Sequence, residues 1–171
     1  MSRPAAFLDR DGVLIPDIGY PHLDEHLVLI NGAAEAVARL NAAGYVTVVV
    51  TNQSGVGRGL FTLERMETFN RMLVDRLAED GAVIDAVYAC PFHADATIEA
   101  FRHPDHPDRK PNPGMLLRAA ADLDLDLAGS LMIGDRGSDM EAARRAGVEG
   151  HLFKGGDLGT FVKALLDGKR A

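Results

Sequence analysis

Ala5-Ala6-Phe7-Leu8-Asp9-Arg10-Asp11-Gly12-Val13-Leu14 runs from apolar residues into two aspartates one position apart, followed at once by glycine. The apolar run predicts a buried strand at 5–8, and Gly12 lets the chain turn away at its end. Asp9 and Asp11 then stand at a strand's carboxyl edge, the side on which open α/β sheets bind ligands. Two carboxylates that close repel unless they share a cation or a proton. An isolated Asp-x-Asp also reads as a solvated acidic turn, so the rest of the chain has to decide between the two.

Outward from this stretch, strand and helix patterns alternate. Ala36, Val37, Leu40 and Ala43 give helical spacing over 33–43, with Gly44 as a stop. Tyr45 to Val50 is β-branched and almost wholly apolar, as buried parallel strands are. Thr62 to Asp80 predicts a long amphipathic helix ended by Gly81, and Ile84 to Ala89 a third strand. A proline-rich loop over 90–112 leads to a helix with Asn112 as cap and Pro113 at its first position. Ser130 to Ile133 reads as a strand, 138–146 as a helix, Gly150 to Phe153 as a strand and Leu158 to Leu166 as the last helix. This alternation predicts an α/β three-layer sandwich around a mostly parallel, Rossmann-like sheet.

The 171 residues suit a single domain, 1–171. Their 47% apolar and 25% charged content is that of a globular protein. No apolar run is long enough to span a membrane, and Met1-Ser2-Arg3-Pro4 leaves no room for a signal peptide before the first strand. The single cysteine, Cys90, excludes an internal disulfide framework and fits a reducing compartment, so a cytoplasmic location is expected. The net charge of −7 disfavours nucleic acid as a partner but permits an anionic small substrate. No sticky surface is evident, and a monomer is expected.

Four strand ends carry polar groups able to meet in one crevice. Asp9 and Asp11 follow the first, Thr51-Asn52-Gln53-Ser54-Gly55 the second, Arg109-Lys110-Pro111 the loop after the third, and Gly134-Asp135-Arg136 with Asp139 the fourth. They supply a nucleophile, a hydroxyl with backbone N–H groups, a cation and further acidic groups, a set suited to phosphoryl transfer. Taken singly, Thr51 reads as a turn residue, Lys110 as a surface lysine and Asp135 as a helix cap, a role Ser138 or Asp139 could also fill.

The order Asp-x-Asp, Thr, Lys, Gly-Asp-x-x-x-Asp resembles the haloacid dehalogenase (HAD) superfamily from Phe7 to about Phe153. Within it, Phe-Leu-Asp-Arg-Asp-Gly, Thr-Asn-Gln-Ser-Gly-Val-Gly-Arg-Gly, Arg-Lys-Pro-Asn-Pro-Gly and Ile-Gly-Asp-Arg are similar to the D-glycero-D-manno-heptose 1,7-bisphosphate 7-phosphatases. Histidinol-phosphate phosphatases share much of the pattern. Chemistry and resemblance together imply Asp9 as nucleophile, forming an aspartyl-phosphate, and Asp11 as general acid and then base. They imply Thr51 and the following amides as phosphoryl ligands, and Lys110 as the cation beside Asp9. Mg²⁺ is expected on Asp9, Asp135 and the Asp11 carbonyl, with Asp139 supporting the site rather than binding the ion.

No segment is long enough for a separate cap domain, so specificity falls to loops. Asp17 and Tyr20 match a substrate-contacting stretch of the heptose phosphatases. Asn52, Gln53, Ser54, Arg58, Arg109 and Arg136 are the other expected substrate contacts, the arginines suiting a second phosphate. Relatives commonly hold a structural zinc in the 90–112 loop. Here Cys90, His93, His103 and His106 offer a Cys-x₂-His…His-x₂-His set able to bind Zn²⁺, or else prolines stiffen a metal-free loop. Two other classes compete: a phospho-accepting receiver domain, and a binding protein without catalysis. A DNA 3′-phosphatase, a further relative, lacks support in a chain with no basic patch.

Overall fold

A computed structural model describes residues 1–171. Its elements alternate as expected: β1 (Arg3–Leu8), α1 (Ala33–Ala42), β2 (Val46–Asn52), α2 (Ser54–Gly57), α3 (Leu63–Glu79), β3 (Ala86–Cys90), α4 (Gly114–Leu123), β4 (Leu125–Gly134), α5 (Gly137–Ala146), β5 (Glu149–Leu152) and α6 (Leu158–Arg170). All five strands are parallel, in the order β3-β2-β1-β4-β5. The chain therefore builds outward on one side of β1 and returns to start the other side at β4. The crevice between the carboxyl ends of β1 and β4 is the switch point where α/β sheets hold ligands.

Alternation along β1 divides the core. Ala6 and Leu8 pack with Val37 and Leu40 of α1, Phe69 and Leu73 of α3, and Leu158 and Val162 of α6. Ala5 and Phe7 point the other way, onto Met115 and Leu116 of α4 and Ala142 and Ala143 of α5. Strands buried on both faces explain the nearly continuous apolar runs of β1 and β2. The result is a three-layer α/β sandwich in which no inserted cap covers the carboxyl edge.

Several boundaries differ from the sequence expectation. β4 begins at Leu125, because Leu125 and Asp126 pair with Arg3 and Pro4 before a bulge shifts the register, and there Ser130 Oγ accepts from Ala5 N at 2.7 Å. Asn112 does not cap α4, whose cap position is Pro113; its side chain instead joins Asp105, the His106 carbonyl and Arg145. Helix α2 and two short 3₁₀ turns, Asp24–His26 and Glu99–Phe101, lie in segments read as loop. No helix is long and apolar enough to cross a membrane.

Candidate active site

Where β1 ends, Asp9 is buried, and its Oδ1 accepts from Arg10 N at 2.9 Å and from Lys110 Nζ at 3.0 Å. The Lys110 ammonium, also buried, spends its other donors on the Val50 carbonyl at 2.9 Å and Asp139 Oδ1 at 2.6 Å. It thus ties the ends of β1 and β2 to the start of α5. The other Asp139 oxygen accepts from the amides of Asp135 and Arg136, each at 3.1 Å. Asp139 reaches back over the first turn of α5, while the Asp135 carboxylate lies against Gly12 and caps nothing. Gly12 and Gly134 make this approach feasible: a Cβ on Gly12 would overlap the Asp135 carboxylate, and one on Gly134 the Asp139 side chain.

Charge in this cluster does not balance. Burial is the strongest influence on Asp9 and, with the negative charge of Asp139, outweighs the pull of Lys110, so the carboxyl is pushed up to about 8. Burial opposes the Lys110 ammonium, but Asp9 and Asp139 more than offset it and hold it above its ordinary value. Burial also raises Asp135. One ammonium among three carboxylates leaves an excess of negative charge that a divalent cation would neutralise. Asp9, Asp135 and Asp139 each offer an oxygen within 4.8 Å of the others. Asp135 Oδ1 is buried without any hydrogen-bond partner, and the Asp11 carbonyl accepts no backbone hydrogen bond. All these donors are hard oxygens, so the residues fit Mg²⁺. Asp139, with both oxygens already engaged by the chain, is the least free to bind it.

These groups open into a crevice of about 560 Å³ whose lining includes Asp9, Asp11, Thr51, Lys110, Arg109 and Tyr20. Thr51 is buried at the end of β2, its Oγ1 accepting from Gln53 Nε2 at 2.8 Å, which leaves the hydroxyl proton free to donate. The same Gln53 nitrogen reaches Asp11 Oδ2 at 3.3 Å. Asn52 lines the crevice as expected, but its amide is committed: Nδ2 donates to the Lys110 carbonyl at 3.1 Å and Oδ1 accepts from Lys110 N at 3.0 Å. Its work is to hold the lysine's backbone. Ser54, at the start of α2, is also part of the lining.

The predicted cations divide into two kinds. Arg136 lines the crevice already paired with Asp17 at 2.6 Å, so this solvent-side pair spans the loops after β1 and β4. Arg109 lines it too and forms no ion pair, and burial together with nearby Arg58 holds its guanidinium below the usual value. Arg58 lies just outside the lining; its Nη2 contacts His93 Nε2 at 3.2 Å, and its buried Nε has no partner. Tyr20 adopts a left-handed φ of 55° after Gly19, a conformation seldom taken by a bulky residue.

The zinc expectation fails on geometry. The Cys90 side chain is sealed in the core layer with Met115 and Leu116, and burial raises its thiol above the ordinary value. Nδ1 of His93, His103 and His106 accepts from the amide two residues on, in Asp95, Asp105 and Asp108, at 2.9–3.0 Å. The His106 ring stacks on Phe92 at 3.9 Å, and His93 pairs with the backbone of Phe101 and His103. The loop is held by turns and stacking, and the four candidate ligands do not converge.

Two contributors went unread in the sequence. Arg10, between the aspartates, is fully buried and salt-bridged to Asp11 at 2.7 Å; Asn70 of α3 accepts from it at 2.9 Å. Nothing local marks this arginine as buried, because the Asn70 and Phe69 side chains that enclose it come from a distant segment. Ser138, named above only as a helix-cap candidate, also lines the crevice.

A family model described as "HAD-hyrolase-like" matches residues 108–160. The chain is 46% identical over 165 residues to the D-glycero-beta-D-manno-heptose-1,7-bisphosphate 7-phosphatase of Rhodopseudomonas palustris, covering 96% of this chain and 91% of the relative. It is 43% identical over 148 residues to a Burkholderia mallei protein named for the alpha anomer, covering 86% and 78%. A solved D,D-heptose 1.7-bisphosphate phosphatase from B. bronchiseptica, complexed with magnesium and phosphate, superimposes with a TM-score of 0.80 at 31% identity, over 96% of this chain and 99% of that one.

Proposed function

The chain belongs to the HAD phosphatases, within the family of heptose-bisphosphate 7-phosphatases, and is a phosphomonoesterase; from that premise we propose that it removes the 7-phosphate of D-glycero-D-manno-heptose 1,7-bisphosphate. The observation that carries the choice of a bisphosphate is the pair Arg58 and Arg109: neighbouring guanidinia, neither ion-paired to a carboxylate, of which Arg109 lines the crevice with Asp9 and Lys110, in an acidic protein. Buried or half-buried cations without a counter-charge favour an anion, and a second phosphate supplies one.

Asp9 attacks phosphorus, and its P–O bond forms as the bond to the sugar oxygen breaks. Asp11 gives its proton to that leaving oxygen, then takes one from the water that attacks the aspartyl-phosphate and releases inorganic phosphate. Thr51 and the amides after it hold the phosphoryl oxygens. Lys110 offsets their charge and orients Asp9 and Asp139. Asp9, Asp135 and the Asp11 carbonyl would hold Mg²⁺, which supplies positive charge to the phosphoryl group. Asp17 and Tyr20, with Arg109, Arg136 and Ser54, meet the sugar and the distal phosphate. Residues 1–171 act as one domain, and the lone unpaired cysteine supports a cytoplasmic site of action.

Turnover efficiency on heptose 1,7-bisphosphate, heptose 7-phosphate and histidinol phosphate tests this reading. The bisphosphate is expected to be best, and Arg109→Ala to raise KM for it while leaving the monophosphate nearly unchanged. Preference for histidinol phosphate would overturn the assignment in favour of the amino-alcohol phosphatases.

A further inference from the structure

We infer that Arg10 and Asn70 form a positioning relay that aims the Asp11 carboxylate, making α3 part of the catalytic apparatus although it touches no substrate. This rests on the reading of Asp11 as the proton carrier. The Arg10 guanidinium is fully buried and every nitrogen is occupied. Nε donates to Asp11 Oδ1 at 2.7 Å, and Nη2 approaches Oδ2 at 3.4 Å and donates to the Pro21 carbonyl at 3.0 Å. Nη1 donates to Asn70 Oδ1 at 2.9 Å, and the guanidinium carbon sits 4.8 Å from the centre of the Phe69 ring.

A planar fork fixed at its far side by Asn70 and over its face by Phe69 has one orientation left for the carboxylate it grips. The grip is uneven. Oδ1 takes the short contact, while Oδ2 receives only the 3.3 Å and 3.4 Å approaches of Gln53 and Arg10. Oδ2 is therefore the oxygen that passes the proton to the leaving alcohol as the P–O bond breaks, and that takes one from water as the aspartyl-phosphate is hydrolysed. Asn70 lies outside the crevice lining, so an effect of its replacement on turnover cannot come from a lost substrate contact.

The test uses p-nitrophenyl phosphate with Mg²⁺ in rapid-mixing experiments. Nitrophenolate leaves without needing a proton, so the first-turnover burst reports phosphorylation of Asp9, and the steady state reports hydrolysis, which needs Asp11. Asn70→Ala is expected to keep the burst rate within about twofold and to slow the steady state roughly tenfold or more, with KM little changed. Asn70→Asp, which keeps the acceptor oxygen, should restore most of the loss. Arg10→Lys, where it folds, should resemble Asn70→Ala. Equal slowing of burst and steady state, or an unchanged steady state, would overturn the relay. Asp11→Asn separates the two levels: if it turns over like the parent, the Asp11 assignment itself falls, whereas its collapse beside an unaffected Asn70→Ala removes only the relay.

Discussion

Asp135 exposes the logic of the site most directly, because one of its buried oxygens has no partner within the chain. A buried, unsatisfied acceptor is costly, and a bound cation removes that cost only in the folded state. Saturating Mg²⁺, at about a hundred times its Kd, should stabilise the protein by about 2.7 kcal/mol, or several degrees of Tm at this size. Asp135→Asn should fold but show no Mg²⁺-dependent rise, as read by thermal denaturation with metal and with chelator; an equal rise would mean the ion binds elsewhere. Cys90 gives a second check. Its burial raises the thiol above its ordinary value, so folded and unfolded chains both keep the proton at neutral pH. Above pH 9 the unfolded thiol ionises first, and stability should fall as pH rises. Iodoacetamide at pH 8 should leave native Cys90 unmodified and alkylate it only after unfolding; rapid native labelling would contradict the sealed position.

At the scale of elements, the turn from β1 into the loop is the tightest constraint. Gly12 has a φ of 89°, and an added Cβ would meet Asp135. Gly12→Ala should cost roughly 1–3 kcal/mol in denaturant unfolding and abolish turnover by displacing Asp135; a neutral result would show that the β1 and β4 ends are less closely apposed. This turn was legible in the sequence because an apolar run, two acids and a glycine can hardly be arranged otherwise on a parallel sheet. The β1–β2–β4 strand ends were legible for the same reason. Asn52 was not: a side chain that clamps Lys110 looks, in sequence, like one that greets a substrate. The zinc set misled because spacing records which residues are near, not which ring nitrogens the turns have already used. Arg10 was invisible because Asn70 lies 60 positions away.

Taken whole, the molecule carries a net charge of −7 yet places unpaired arginines beside one edge of its sheet. Local attraction must overcome a repulsive overall field for an anionic substrate, and salt screens both. KM for the bisphosphate should therefore rise with ionic strength more steeply than KM for the monophosphate; parallel curves would deny the distal phosphate its partners. Fold order explains how distant residues meet: β1 and β4 are neighbours although their ends, Asp9 and Asp135, are far apart in sequence, and Asp9 N donates to the Ile133 carbonyl at 3.0 Å. On the proposed mechanism, that adjacency aims one carboxylate at phosphorus. Quenching the enzyme in acid during turnover, reducing the acyl phosphate with borohydride and mapping the digest by mass spectrometry reads this out. Conversion of Asp9, and no other residue, to homoserine is the predicted result; an unmodified Asp9 in an enzyme caught at full turnover, or modification at Asp11, would contradict it.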